Sequence, residues 1–264
     1  MFLAIDIGNT HTVLGVYKKD KLLANWRVTS SLQRTEDELG TQVLMFLSHA
    51  GLKETAIDHV GISSVVPNLT DISAAMAKKY FRVDPIIISA ALPLGIQIRY
   101  ENPNAVGADR LCNAVAGFAK YGGPLIIIDF GTATTYDVVG ANGDYLGGVI
   151  AAGIETSAAD LHRRAAKLPK IELHLPGAVI GTDTVSSMQS GILYGAIDGM
   201  EGMVARLQKS LTASEKKAAI VVATGGFSSF IARYSAVIQH QEPNLVLDGV
   251  RLICERLQTK KPSR

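Results

Sequence analysis

Cysteine is nearly missing from this chain: Cys112 and Cys254 are the only two in 264 residues. Two isolated thiols exclude a disulfide framework and every zinc-ligand spacing, and they suit a reducing cytoplasm. Excess charge is missing too. With 26 basic and 24 acidic side chains the formal net charge is +2, and no basic stripe gathers, which excludes nucleic acid as the main partner. No apolar run reaches spanning length. The opening Met1-Phe2-Leu3-Ala4-Ile5-Asp6 lacks a basic n-region and meets a carboxylate at once, so neither a signal peptide nor a membrane helix is expected, and the chain should be soluble. The common nucleotide fingerprints G-x-x-x-x-G-K-[ST] and G-x-G-x-x-G are absent. None of the six histidines, at 11, 49, 59, 162, 174 and 240, pairs with another at metal-ligand spacing.

What is present is a globular composition, 47% hydrophobic and 19% charged, in a length that suits one large or two modest domains. One short pattern organises it. Asp6-Ile7-Gly8-Asn9-Thr10 ends the first apolar run, and Asp129-Phe130-Gly131-Thr132 ends another, 129 − 6 = 123 residues later. Each copy puts an acid at the end of a buried strand, then glycine, then small polar residues, and each opens a hairpin. A single Asp-x-Gly is an ordinary turn with a capping Asp. Its recurrence near a half-chain offset predicts a duplicated domain with two phosphate-facing turns across one cleft.

Strands are expected over 3–7, 12–17, 22–28, 60–65 and 85–89, with helices over 35–50, 67–79 and 107–120, an α/β alternation. Gly122-Gly123-Pro124 is the natural boundary, giving domains 1–121 and 122–264. The second half restarts with strands 125–129, 132–139 and 145–150, the last two joined by Asn142-Gly143. A helix over 154–166, an irregular stretch over 168–181 and a long helix capped by Thr182 or Asp183 and running to Leu207 follow. Gly191, Gly195 and Gly199 share one face of that helix. Such a face should lie close against another element, either the domain's own sheet or a second copy of the chain. A strand over 218–223, a short helix and a helix over 245–257 close the fold, and the tail 258–264 is expected to fray.

The chemistry follows from those corners. A glycine turn after a buried strand lets backbone N–H groups approach an anion, and Asn9, Thr10 and Thr12 add donors. Asp6 beside phosphate makes sense when Mg²⁺ with water ligands lies between them, and symmetry extends that role to Asp129. Thr132, directly after its glycine, is the best hydroxyl for a phosphate, and His11 is placed to touch a nucleotide. Gly225-Gly226 is either a plain strand-to-helix turn or a flat seat for adenine or ribose. Asp109 opens a helix midway between the corners, where helix amides and Arg110 should keep it ionised. A modest base of this kind is enough to orient a hydroxyl for phosphoryl transfer, although an N-terminal cap is the alternative. Tyr100, just upstream, is either half-buried packing or a substrate contact.

Asp-x-Gly-Asn-Thr near the start, Gly107-Ala108-Asp109-Arg110 in the middle and Asp-x-Gly-Thr-Ala-Thr-Thr from Asp129 form a specific combination that closely resembles the type III pantothenate kinases. The resemblance extends through Gly147-Gly148-Val149-Ile150, Gly181-Thr182-Asp183-Thr184 and Thr224-Gly225-Gly226, nearly the whole chain in order. It implies a duplicated actin-like (ribonuclease H-like) fold of the acetate and sugar kinase superfamily, each domain a mixed β-sheet with helices. It implies ATP-dependent phosphorylation of pantothenate to 4′-phosphopantothenate, the first step towards coenzyme A, in a cytoplasmic homodimer. On this sequence Asp6, Ile7, Gly8, Asn9, Thr10, His11, Thr12 and Val13, with Thr132, would bind ATP. Asp109 would accept the proton from the pantothenate hydroxyl, and Tyr100, Gly107, Ala108, Asp109, Arg110 and Thr184 would contact pantothenate. Asp129 would hold potassium or ammonium, in place of the Mg²⁺ that symmetry suggests, with Asp6 on the Mg²⁺ side. Two alternatives of the same fold class are a non-enzymatic ATP-binding regulatory accessory factor and a kinase for another small hydroxyl or acid substrate.

Overall fold

Short β-branched runs bounded by turns build the sheets, and longer amphipathic segments cover them. The computed structural model describes residues 1–215 and 217–259. In chain order the strands are β1 (Phe2–Ile7), β2 (His11–Lys18), β3 (Lys21–Thr29), β4 (His59–Ser64), β5 (Ile86–Ile87), β6 (Leu125–Phe130), β7 (Ala133–Val139), β8 (Tyr145–Ala152), β9 (Ile220–Gly225) and β10 (His240–Gln241). The α-helices are α1 (Glu36–His49), α2 (Pro67–Met76), α3 (Ala108–Tyr121), α4 (Ile154–Arg164), α5 (Thr184–Glu215), α6 (Ser228–Ile231) and α7 (Leu245–Thr259). Residues 260–264 of the tail expected to fray lie outside the described residues; residues 258 and 259 belong to α7.

The chain divides into two units, Met1–Ala119 with the chain from Leu245 onward, and Lys120–Asn244. The first has a five-stranded sheet in the order β3-β2-β1-β4-β5, the second one in the order β8-β7-β6-β9-β10. The two are the same sheet. Each begins with an antiparallel meander of three strands and adds two parallel strands beside the first. In both, the central strand is apolar and buried apart from its penultimate acid, Asp6 or Asp129, which is half-buried. Such a run reads as a strand enclosed on both faces.

Local chemistry sets the helix ends. Thr35 caps α1 in a reciprocal box with Glu38: its hydroxyl accepts from the Glu38 N–H at 3.2 Å, and Glu38 Oε2 accepts from the Thr35 N–H at 2.8 Å. Pro67 stands at the first turn of α2, where its missing N–H costs nothing. Asp183, one of the two expected caps, caps α5, with Oδ1 accepting from the Ser186 N–H at 3.0 Å. The helix then runs past the expected Leu207 to Glu215.

One expectation is corrected here. Helix α7 does not join the second unit, as the boundary 122–264 required; it covers the first sheet. Its buried Leu247, Val250, Ile253 and Cys254 form one apolar face, and glycines let that face come close. A methyl at Gly61 of β4 would sit 2.6 Å from Val250 Cγ1, and one at Gly249 would sit 2.2 Å from the Cys112 carbonyl of α3. Tyr17 Oη donates to Asp248 at 2.7 Å and fixes the helix along the sheet. Which sheet a terminal helix covers depends on shape, which adjacency in sequence does not carry. Strand β10 is an element the sequence does not reveal, because two residues are too few to show a period. Of the two neighbours expected for the glycine face of α5, the sheet of its own unit is not in contact: a methyl at Gly191, Gly195 or Gly199 would meet nothing within 4 Å.

Candidate active site

The first corner is built where β1 stops. Asp6 lies opposite Val13 of β2 and opposite Ser63 of the parallel β4. Ser63 Oγ donates to Asp6 Oδ1 at 2.9 Å. After Ile7 the chain turns, with the Gly8 N–H on the His11 carbonyl at 3.0 Å. Asn9, Thr10 and His11 stand exposed on the turn, while Thr12 is buried and Val13 half-buried. Ser30, just past β3, ties the turn from behind. Its N–H donates to the Thr10 carbonyl at 2.9 Å, its hydroxyl donates to the Gly8 carbonyl at 2.7 Å, and it lies 2.9 Å from Thr12 Oγ1. Two carbonyls of the turn are thereby occupied by donors, which lowers their repulsion of an anion.

The second corner repeats the plan. Asp129 lies opposite Thr135 of β7 and Thr224 of the parallel β9, and the Gly131 N–H reaches the Ala133 carbonyl at 3.1 Å. Thr132 is exposed at the turn. Its carbonyl is occupied by the Gly153 N–H at 3.2 Å and the Thr156 hydroxyl at 2.6 Å, both from the start of α4. Only glycine fits at 153, because a methyl there would sit 2.4 Å from the carbonyl oxygens of both Gly131 and Thr132. Gly225 has φ +85, and a methyl on it would stand 2.4 Å from Asp129 Oδ1, so its backbone lies against that carboxylate. The close approach accounts for the glycine at 225 without a nucleoside seat.

Asp109 sits in the first turn of α3. Its Oδ1 accepts from the Arg110 N–H at 2.8 Å and curls back over Gly107, where a methyl would lie only 2.3 Å away. Burial pushes the Asp109 carboxyl above the ordinary aspartate range; the Arg110 N–H and then its guanidinium charge pull it down by less. The expectation that helix amides and Arg110 dominate is thus reversed, because the sequence did not show how far this turn is enclosed. One turn on, the buried Cys112 thiol is pushed up by burial first and then by the charges of Asp6 and Asp109. Both carboxylates, of the same unit, therefore act on one buried sulfur.

The remaining predicted residues are placed as follows. Tyr100 is 37% exposed in the irregular segment before α3, with Gly107, Ala108 and the buried Arg110 closing that segment. Thr184 begins α5 and, with Gly181, Thr182, Asp183, Ser187 and Met188, lines a cavity of about 600 Å³. Among the described residues no group of three or more His, Cys, Asp or Glu could hold a metal ion, and no helix is long and apolar enough to cross a membrane.

Comparison with known proteins supplies the family. The model of the type III pantothenate kinase family matches residues 2–206. A type III pantothenate kinase of Geobacillus sp. (strain WCH70) is 46% identical over 261 residues, 99% of this chain and 100% of that protein. The chain belongs to the type III pantothenate kinase family. Two solved structures show its actin-like fold at low identity. A conserved Campylobacter jejuni protein assigned to the Baf family of transcriptional activators is 17% identical with TM-score 0.60, over 97% of this chain and 99% of that one. The ADPNP-bound activator of 2-hydroxyisocaproyl-CoA dehydratase from Clostridium difficile is 15% identical with TM-score 0.52, over 100% of this chain and 98% of that one.

In this pantothenate kinase family member the residues that sequence reasoning missed are those that hold the corners. Ser30, Ser63, Gly153 and Thr156 lie 22, 57, 21 and 24 residues from the groups they contact. A lone serine after a strand carries no signal of this; only the register of β1 against β4 reveals Ser63.

Proposed function

We propose that this chain transfers the γ-phosphoryl group of ATP to the hydroxyl of pantothenate, giving 4′-phosphopantothenate, the first step towards coenzyme A. The observation that carries the reading is Asp109, a carboxylate enclosed in the first turn of α3 with Oδ1 held by the Arg110 N–H over Gly107, where burial raises its proton affinity. A pure nucleotide binder has no use for such a group.

In this reading the turn from Asp6 through Ile7, Gly8, Asn9, Thr10, His11 and Thr12 to Val13, with Thr132, binds ATP. Tyr100, Gly107, Ala108, Arg110 and Thr184 hold pantothenate. Asp109 accepts a hydrogen bond from the pantothenate hydroxyl and takes its proton as the new O–P bond forms; the bond from the γ-phosphorus to the β–γ bridging oxygen breaks, and ADP leaves. Phosphoryl transfer asks little more of a base than orientation, and a pKa raised toward working pH improves it. The Asp6 site fits a hydrated Mg²⁺: one carboxylate held by Ser63, no protein cage, and a turn for phosphate oxygens. Such an ion supplies charge neutralisation at the phosphates. Asp129, pressed by the Gly225 backbone and flanked by Thr224 and Thr135, offers oxygen donors suited to potassium or ammonium. The cytoplasm is the setting.

A homodimer completes the proposal. The open glycine face of α5 lines an apolar groove of about 600 Å³ with Phe130, Tyr136, Ile154, Leu161 and Met200. Ile150 and Leu161 are exposed on strand and helix of the same unit. A second copy of α5 approaching along the glycines would bury this face.

The test is purified chain with ATP, Mg²⁺, potassium and pantothenate, with 4′-phosphopantothenate read by mass. Product in potassium or ammonium but far less in sodium is expected. ATP binding without product under every condition would contradict the reading. Because protonated Asp109 cannot accept the hydroxyl proton, the rate should fall on the acid side through a value above the ordinary aspartate range.

A further inference from the structure

We propose that Ser63 is a positioning residue that sets the Asp6 carboxylate for the metal–nucleotide complex; the proposal rests on the reading above, in which Asp6 is the acid on the Mg²⁺ side. Ser63 has no solvent exposure, on a strand whose neighbours Val60 and Ile62 are core residues. A buried hydroxyl in such a sheet is unfavourable unless it is used. Here its single proton is directed to Asp6 Oδ1 at 2.9 Å, straight across the parallel register between β1 and β4. The bond gives one oxygen of that carboxylate a fixed donor. The buried thiol of Cys112 is a further hydrogen-bond neighbour of Ser63.

The duplication supplies an independent observation. The residue opposite Asp129 in the matching parallel register is Thr224, again a hydroxyl and only 2% exposed. The two positions before it are filled differently in the two parallel pairs: Gly61 and Ile62 of β4 stand where Val222 and Ala223 of β9 do. A buried hydroxyl beside each strand-end acid is therefore part of the repeated plan, and Ser63 is the copy that serves the metal side.

The experiment is calorimetric titration of the full chain with ATP, in one arm with Mg²⁺ and in the other with EDTA. Ser63→Ala is expected to weaken binding roughly 10-fold in the Mg²⁺ arm, the size of one hydrogen bond to a charged group, and less than about 2-fold with EDTA. Ser63→Thr, which copies the second corner, should restore the Mg²⁺ arm. Unchanged Mg²⁺-dependent affinity in Ser63→Ala, or equal weakening in both arms, would overturn the proposal. Should Ser63→Ala fail to fold, Ser63→Cys keeps the volume with a weaker donor and is judged by the same two arms. Asp6→Asn separates the two ideas: Mg²⁺-dependent affinity unchanged in Asp6→Asn removes the underlying reading of Asp6. A loss in Asp6→Asn with none in Ser63→Ala removes only the role of Ser63.

Discussion

The two strand-end acids share a sheet, a register and a turn, yet each is held by different means. Asp6 receives a side-chain hydrogen bond from Ser63, and its turn is tied by Ser30. Asp129 has a glycine backbone at positive φ pressed against it, and its turn is tied by the start of α4. In the proposed reading a directed donor orients one oxygen of an acid that shares a hydrated divalent ion with phosphate, and a close backbone brings further oxygens towards a larger, weakly hydrated ion; duplication then conserves the frame, and what packs behind each acid chooses its ion.

The sharpest way to break this comparison is to neutralise each acid in turn. Asp6→Asn should lower kcat/KM for Mg-ATP roughly 100-fold, the scale of losing one preorganised electrostatic contact, and shift the Mg²⁺ dependence. Asp129→Asn should instead abolish activation by potassium or ammonium. Steady-state rates titrated with each ion check both; two variants responding alike to Mg²⁺ would make the corners equivalent.

Stability gives the next contrast. Gly225→Ala places a methyl on Asp129 and on a left-handed backbone, and should cost about 1–3 kcal/mol in thermal unfolding. Gly8→Ala meets only the His11 carbonyl at 3.1 Å and should cost less. Equal losses would show that the second corner does not depend on the close backbone.

Asp109 offers a contrast of sign. Its folded-state pKa is raised, so its contribution to stability is fully present below the unfolded value and is lost as pH rises through the folded one. Asp109→Asn should therefore melt higher than the parent chain near neutral pH, with the difference vanishing in acid. Denaturation curves across pH measure it, and a variant that melts lower at neutral pH would contradict the burial argument.

The smallest effects belong to the ties behind the turns. Ser30→Ala and Thr156→Val each remove hydroxyl contacts to turn carbonyls and should cost about 1 kcal/mol. Ser30→Ala should also raise KM for ATP, measured in initial-rate assays, without altering potassium dependence.

Much of this was legible in sequence, and the reason lies in where each signal resides. The strands, the hairpins, Thr35 as a cap and the paired Asp-x-Gly turns are local patterns. Periodicity and turn chemistry exposed them before any coordinates were known. Ser63 and Ser30 were not legible, because a buried serine declares its use only when a distant strand is laid beside it. The placement of α7 was lost for a related reason: its apolar face fits whichever sheet has the right glycines, here Gly61. The upward pull of burial on Asp109 is not legible, because enclosure is a property of the folded loop, whereas its neighbour Arg110 is visible in the sequence. The glycine face of α5 is legible as unusual, but its spacing leaves open whether the domain's own sheet or a second copy of the chain lies against it.

The central claim is that Asp109 takes the proton from the accepting hydroxyl while the glycine turns hold the nucleotide. Phosphorus NMR of Asp109→Asn beside the parent chain, with ATP, Mg²⁺, potassium and pantothenate, tests it directly. The account predicts a phosphomonoester signal growing in the parent sample and slowed by roughly 100-fold or more in the variant, with ATP affinity retained. A variant that makes phosphopantothenate at the parent rate would contradict it.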